Sequence, residues 1–511
     1  MKTKAAPKLR LYETKHPLVY EVNARVLLNE VSARERKRIT LGTLPERVLD
    51  EWGGFDAVWL MGVWTTGEIS KSIARTHEGL QAEFRNLLPD ITEGDIAGSP
   101  YSVREYAVPR EMGGDAGLKK LRGRLAERGI ALILDFVSNH TARDHPWVFA
   151  HPEYYIPGEP GDDERRPDLY FKAATAKGER VLAFGRDPTF PSWTDTAQLN
   201  PIAVPARAAT IEQLLHVAEL CDGVRCDMAM LILRGIFLLS WGDRVMASAC
   251  ERATSEFWQD AIETVRAKFP SFVFIAEAYW NLEWQLQQLG FSCTYDKVLY
   301  DRLLREGAGA VRDHLRAESD YQTRSLRFIE NHDEPRSARS FRSEAWLYAA
   351  AVVISTVPGY AMYHDGQFEG RLQRLPLQLA RRPEEQTQET TRQFYRQLLK
   401  VVRHEIFRSG EWTLLQARPA WHDNHTWQNF LVFWWQGKGE GARLVVVNYA
   451  PHSGQCYVEL PAQHLPGVNV EFRDQMGEAA YVRDRGGLLT KGMYFDLPAY
   501  GFHIFEVLKA K

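Results

Sequence analysis

Ala131 to His140 reads ALILDFVSNH. An almost unbroken apolar run of this length describes a strand buried on both faces, the kind found in parallel sheets. Helical periodicity over Leu118–Arg128 precedes it and stops at Gly129, a residue suited to the left-handed turn after a helix. The run ends in Asp135, Asn139 and His140. Such polar groups are costly in a core but natural where strands of an α/β barrel open onto its active face.

The same rhythm extends in both directions. Leu18–Val26 reads as a strand and Leu44–Glu51 as a helix, stopped by Gly53-Gly54 before a strand at Ala57–Met61. Helix Ala206–Leu220 leads into Gly223–Met228, helix Phe257–Lys268 into Phe272–Glu277, and strand Ser325–Ile329 into NHDEPR. This alternation predicts βαβ units around a parallel sheet. Between His140 and Asn200 it breaks, in a stretch rich in Pro, Gly and charge that is too long for an ordinary connection. GDDERRPD within it reads as a solvated loop. Past residue 408 strand-like runs take over (NFLVFWW, RLVVVNYA, QCYVELP, GFHIFEV) and predict an all-β sandwich. The expected fold is α/β: a (β/α)8 barrel over 1–140 and 201–405, an inserted excursion over 141–200, and a C-terminal β-sandwich over 406–511.

The bulk numbers narrow the function. A net charge of -3 gives no electrostatic case for nucleic acid or an anionic membrane, and suits a neutral substrate. No apolar run is long enough to span a bilayer. The N-terminus carries charge without an apolar core, so no signal peptide is read there. The five cysteines match no zinc or thioredoxin spacing and read as free thiols, which points to the cytoplasm.

Four polar clusters close predicted strands: DFVSNH at 135–140, DGVRCD at 222–227, IAEAYW at 275–280 and IENHDEPR at 329–336. In order and wording they resemble the four signature regions of the α-amylase superfamily of glycoside hydrolases. GSPYSVREYAVPREMGGDAGLKKLRGRLAERGIALILDFVSNH is similar to that family's approach to its third strand, and LPAYGFHIFEV to the end of its C-terminal domain.

The resemblance implies a role for each matching position. Asp227 matches the nucleophile, Glu277 the general acid/base, and Asp333 the third acid, which binds sugar hydroxyls and favours the cationic ring. Arg225 matches the arginine beside the nucleophile. His140 and His332 match the histidines that bind the sugar, and Tyr101 the tyrosine stacked beneath it. Asp135 matches an organiser of Arg225. Gln367, in HDGQFEGR after the last strand, is a supporting residue. Asn139 matches a position that ligates calcium in many members; the sequence offers one such oxygen where calcium takes six to eight, so a structural Ca2+ is left open and no other cofactor is required. Retaining cleavage needs one carboxylate to attack and another to donate a proton. That proton calls for a Glu277 surrounded by negative charge and partly buried.

The implied function is a retaining glycoside hydrolase acting on α-glucosidic bonds of maltooligosaccharides or related α-glucans. The alternative is an α-glucan transglycosylase using the same residues, favoured by DHPWVFAHPE and ENHDEPR, which resemble maltosyl-transferring members. A third reading is a catalytically silent carbohydrate-binding relative. Two departures bear on specificity: Ser102 stands where many members have Asp, and MAML follows Asp227 in place of Lys-His. Oligomeric state is not legible.

Overall fold

The structure is a computed structural model that describes residues 9–247, 250–439 and 441–510. Eight strands close a barrel in chain order: Leu18–Asn23, Ala57–Met61, Ala131–Val137, Gly223–Asp227, Val273–Ala276, Cys293–Tyr295, Ser325–Arg327 and Tyr360–His364. The barrel predicted from sequence is thus present, as are the excursion after its third strand and the antiparallel C-terminal sheets. The chain divides into two compact units. The first comprises Met1–Tyr12, Tyr20–Tyr295 and Leu375–Glu384; the second comprises Glu13–Val19, Asp296–Arg374 and Glu385–Lys511.

In the first unit the third strand lies parallel to the second and the fourth, with Arg225 in register with Asp135 and Asp227 with Val137. Every residue of the third and fourth strands is buried, as an apolar run flanked by helices requires. Gly223 opens the fourth strand because the sheet is tight there: a Cβ would sit 2.6 Å from the Val273 carbonyl oxygen. The first strand is shorter than expected. It ends at Asn23, whose side chain accepts from the amides of Arg25 and Val26 and starts a helix at Ala24–Glu35. The apolar Val26 belongs to that helix, and a short apolar run could not tell the two apart.

The excursion has its own order. His140–Ala142 pairs antiparallel with Thr196–Gln198, and Tyr170–Thr175 forms a hairpin with Gly178–Ala183. Small apolar clusters, one around Tyr155, Phe171 and Phe184 and another around Ile156, Tyr170 and Trp241, hold it together. GDDERRPD is exposed over 164–168, as expected of a solvated stretch, but one of its members is not. Asp162 starts a short helix and is 4% exposed, paired to Arg244 at 2.8 Å. The charge run hides one member that ties the excursion to the helix Arg234–Ala247.

In the second unit a six-stranded antiparallel sheet faces a three-stranded one across a core that includes Phe430, Trp434, Val446, Cys456 and Phe505. Phe430–Gln436 alternates in the usual way, with Phe430, Val432 and Trp434 pointing into this core. Its other face is buried too: Trp435 is 1% exposed and donates its indole N–H to the Thr356 carbonyl at 2.7 Å. Thr356 ends the helix Glu344–Thr356, which is apolar almost all round and buried accordingly.

Candidate active site

The fourth and fifth strands carry the chemistry of the first unit. Successive residues of a strand point to opposite faces, so Arg225 and Asp227 share one face and Cys226 takes the other. Glu277 follows the fifth strand directly, its backbone N–H bonded to the Cys226 carbonyl at 3.1 Å. This register brings Arg225, Asp227 and Glu277 together although Glu277 is fifty residues distant from Asp227 in the chain.

Arg225 is the hub. One terminal nitrogen donates to Asp227 Oδ1 at 2.8 Å and lies 3.7 Å from Asp135 Oδ1. The other lies 2.8 Å from Glu277 Oε2. Its Nε donates to the Tyr295 hydroxyl at 3.3 Å, and the rings of Tyr101 and Trp59 lie 5.1 and 5.2 Å from the guanidinium carbon. Burial alone would loosen the Arg225 proton. The neighbouring oxygens, Glu277 foremost, then Tyr101, Tyr295 and Asp227, outweigh it and hold the group well above its ordinary range. A buried cation this well enclosed fixes the orientation of both carboxylates.

Glu277 is 3% exposed. Its surroundings differ from the acidic ones expected from sequence. Oε2 meets Arg225 and accepts the Met228 amide N–H at 2.6 Å, and Oε1 accepts the Tyr279 hydroxyl at 2.9 Å. As a carbonyl oxygen, Oε2 can keep both its donors while Oε1 carries a proton and the Tyr279 hydroxyl turns to accept it. Met228 reaches Glu277 from a left-handed conformation, φ 42°. Non-glycine residues hold such geometry at a cost of ~1–3 kcal/mol, and positions of this kind gather at functional sites. Trp280 and Asn281, at φ 63° and 59°, extend the strained backbone beyond Glu277.

His140 is buried, with Nδ1 facing the Asn139 amide nitrogen at 3.3 Å. Burial lowers its pKa; Asp227, Asp195 and a hydrogen bond to the Tyr101 backbone pull the other way without reversing it. A neutral ring can exchange hydrogen bonds with a sugar hydroxyl. The Trp193 ring, from the excursion, stands 5.1 Å from that of His140 and is half-buried. Ser102 is fully buried and donates to the Asp195 carbonyl at 2.9 Å, so it serves the excursion's attachment.

Asn139, the position matched to a calcium ligand, is engaged by other side chains of this chain. Its side-chain oxygen accepts from Gln198 Nε2 at 3.0 Å, and its amide nitrogen faces the imidazole of His140 and Gln198 Oε1. Among the described residues no group of three or more His, Cys, Asp and Glu is placed to hold a metal.

The second unit carries the remaining predicted residues. Asn331 accepts the backbone N–H groups of Asp333 and Glu334, which fixes the turn after the seventh strand. The Asp333 carboxylate, 37% exposed, lies 2.9 Å from His332 Nε2. Arg336 pairs with Glu330 at 2.7 Å, both side chains buried. Burial would raise the Glu330 pKa, but Arg336, His364 and Ser337 bring it down to about 2. Gln367 is buried, accepting from the His364 amide and donating to the Tyr395 hydroxyl.

Sequence reasoning missed Tyr279, Trp193, Tyr295 and Met228. Tyr279 lies inside IAEAYW, and its place two residues after Glu277 was the available signal. Met228 directly follows Asp227, but its amide's contact with Glu277, like the places of Trp193 and Tyr295, arises only through folding.

A barrel whose strand ends gather acids around a buried arginine defines a class of protein. A family model described as the α-amylase catalytic domain matches residues 54–196. An α-amylase of Haloarcula japonica is 24% identical over 56% of this chain and 38% of its own length. An α-1,4-glucan:maltose-1-phosphate maltosyltransferase of Rhodospirillum rubrum is 25% identical over 47% of this chain and 29% of its own. This chain therefore aligns with well under half the length of either curated relative. A maltogenic α-amylase from Thermotoga neapolitana shares the fold at TM-score 0.65 and 19% identity, over 97% of this chain and 99% of that one. The family model and both curated relatives are what this chain is similar to, and they support a likeness to the α-amylase superfamily.

Proposed function

We propose that the chain is a retaining glycoside hydrolase acting on α-glucosidic bonds of maltooligosaccharides or related α-glucans. The observation that carries this is the Arg225 guanidinium, which holds Asp227 and Glu277 at 2.8 Å each at the ends of adjacent parallel strands. Double displacement needs two carboxyl groups ~5–5.5 Å apart, and one planar cation gripping both keeps them close neighbours. Asp227 attacks the anomeric carbon and forms a β-glycosyl ester. Glu277 protonates the departing oxygen from Oε1, then takes a proton from the incoming water. From the order of the motifs, Asp333 stabilises the cationic transition state and His332, His140 and Tyr101 bind the sugar. Asp135 and Gln367 support the site.

The second reading is glucosyl or maltosyl transfer. It is favoured by the match to the Rhodospirillum rubrum maltosyltransferase and by the burial of Ala229 and Met230 after Asp227, which brings no polar side chain to an acceptor sugar. No helix among the described residues is long and apolar enough to cross a membrane, and the cysteines are free thiols, in keeping with a reducing compartment such as the cytoplasm. Incubation with maltooligosaccharides, with and without phosphate or added acceptor sugars, tests the readings. Glucose or maltose as sole products means hydrolysis; a ladder of longer products means transfer; no turnover with retained binding means a silent binder and overturns both.

A further inference from the structure

We infer that the side-chain amide of Gln198 does the work of a cation at the end of the third barrel strand, so that the excursion is pinned there without metal. Three oxygens converge on Gln198 Nε2: the Asn139 carbonyl at 2.8 Å, Asn139 Oδ1 at 3.0 Å and the Leu199 carbonyl at 3.1 Å. Oxygens from two chain segments turned towards one point would repel one another unless something electropositive filled it. Here an –NH2 group fills it, from a residue that is fully buried. The Arg186 backbone N–H lies 3.3 Å from Gln198 Oε1, which fixes which end of the amide faces the three oxygens.

The spacing and the donors both fit nitrogen and not calcium. The distances are those of N–H···O bonds, whereas Ca–O contacts run ~2.3–2.6 Å. The three oxygens are neutral, while calcium sites collect roughly six to eight oxygens, carboxylates among them. The amide also serves the site. Gln198 is in register with His140 across the strand pair, and Asn139, clamped by Gln198, presents its own amide nitrogen to His140 Nδ1. The clamp thus sets the ring that the proposed function assigns to sugar binding, but the inference itself concerns stability and stands apart from activity.

The test is thermal unfolding of the full chain in excess chelator and in millimolar calcium, with metal content of the purified protein measured by elemental analysis. The wild type is expected to carry no stoichiometric calcium and to unfold at the same temperature in both buffers. Gln198→Glu places a carboxylate against the three oxygens. It is expected to unfold several degrees lower in chelator and to recover in calcium, turning a metal-indifferent protein into a metal-responsive one. Gln198→Met removes the donor without adding charge and is expected to unfold lower in both buffers. A wild type stabilised by calcium, or purified with one calcium per chain, overturns the inference. So does a Gln198→Met variant as stable as the wild type. The wild-type measurements decide the question even where a variant does not fold.

Discussion

The Tyr279 hydroxyl donates to Glu277 Oε1 at 2.9 Å, on the one oxygen of that carboxylate that Arg225 and Met228 leave to other partners. Two residues of one short motif therefore meet at the atom that, in the proposed mechanism, hands over a proton. The phenol favours the ionised carboxylate and gives the neutral one a partner. Tyr279→Phe removes the donor and keeps the ring. The expected outcome is a several-fold fall in kcat on maltooligosaccharides, with the alkaline limb of the pH–rate profile moved to higher pH. A profile that keeps its shape while activity falls would make Tyr279 a packing residue only.

Asp227→Asn keeps an oxygen for Arg225 but loses the proposed nucleophile. Activity on every α-glucoside cleaved by the native protein should fall by orders of magnitude while circular dichroism and the unfolding temperature stay close to wild type. Near-normal turnover would remove Asp227 from the mechanism.

Glu277→Gln separates proton donation from shape. Turnover of maltooligosaccharides, whose leaving groups need a proton, should collapse. Glycosyl fluorides should be spared far more, since fluoride departs with little help. Equal losses on both substrates would show that another residue donates the proton.

Arg225→Met leaves Asp135, Asp227 and Glu277 in the barrel with no cation among them. Removing one partner of a buried ion pair costs ~3–5 kcal/mol, so denaturant unfolding should show a loss of about that size. An unchanged midpoint would mean that the carboxylates do not depend on Arg225 for their burial.

His16 makes stability depend on pH. Burial first, then Arg408, Lys15 and Arg327, lowers its pKa from 6.5 to about 3, and its Nδ1 accepts the Gly359 N–H at 3.0 Å. The folded chain keeps the ring neutral where the unfolded chain binds a proton. The contribution is therefore complete above pH 6.5 and is lost progressively as the pH falls towards 3. Urea midpoints measured between pH 7 and pH 4 should fall with acidity. His16→Asn, which can still accept from Gly359, should reduce that slope by about one proton. An unaltered slope would place the linkage elsewhere.

The barrel was legible because burial on both faces leaves a plain mark. Ala131–Val137 and Ala57–Met61 are strands with the predicted limits, and Asp227 and Glu277 sit at strand ends as their motifs imply. The first strand was overrun because Val26 is equally apolar in a helix and only the Asn23 cap decides between them. The chain's own signals also could not show that Arg225 reaches Glu277 as closely as Asp227. That contact depends on the pairing of Cys226 with Ala276, a register with no local signature. Trp193 and Gln198 were hidden for the same reason: each meets its partner some fifty to sixty residues away, across a stretch without periodicity. Asp162 looked solvated because its neighbours in GDDERRPD are, and its partner Arg244 lies on a distant helix.

Trp434 and Trp435 are adjacent, point to opposite sides of one strand, and are each 1% exposed. Trp434 belongs to the sandwich core, whereas Trp435 packs edge-on against His16 and Phe407 and bonds to the helix end at Thr356. This strand has no face to give to water, and neither does the apolar helix beside it over 349–356. The C-terminal region is therefore not an interchangeable module. A truncation near Gly410 would strip the helix Glu344–Thr356 of its cover and leave a sticky surface prone to self-association. Recombination at that joint could succeed only if the helix and the strand travelled together, so the two have to be inherited as a pair.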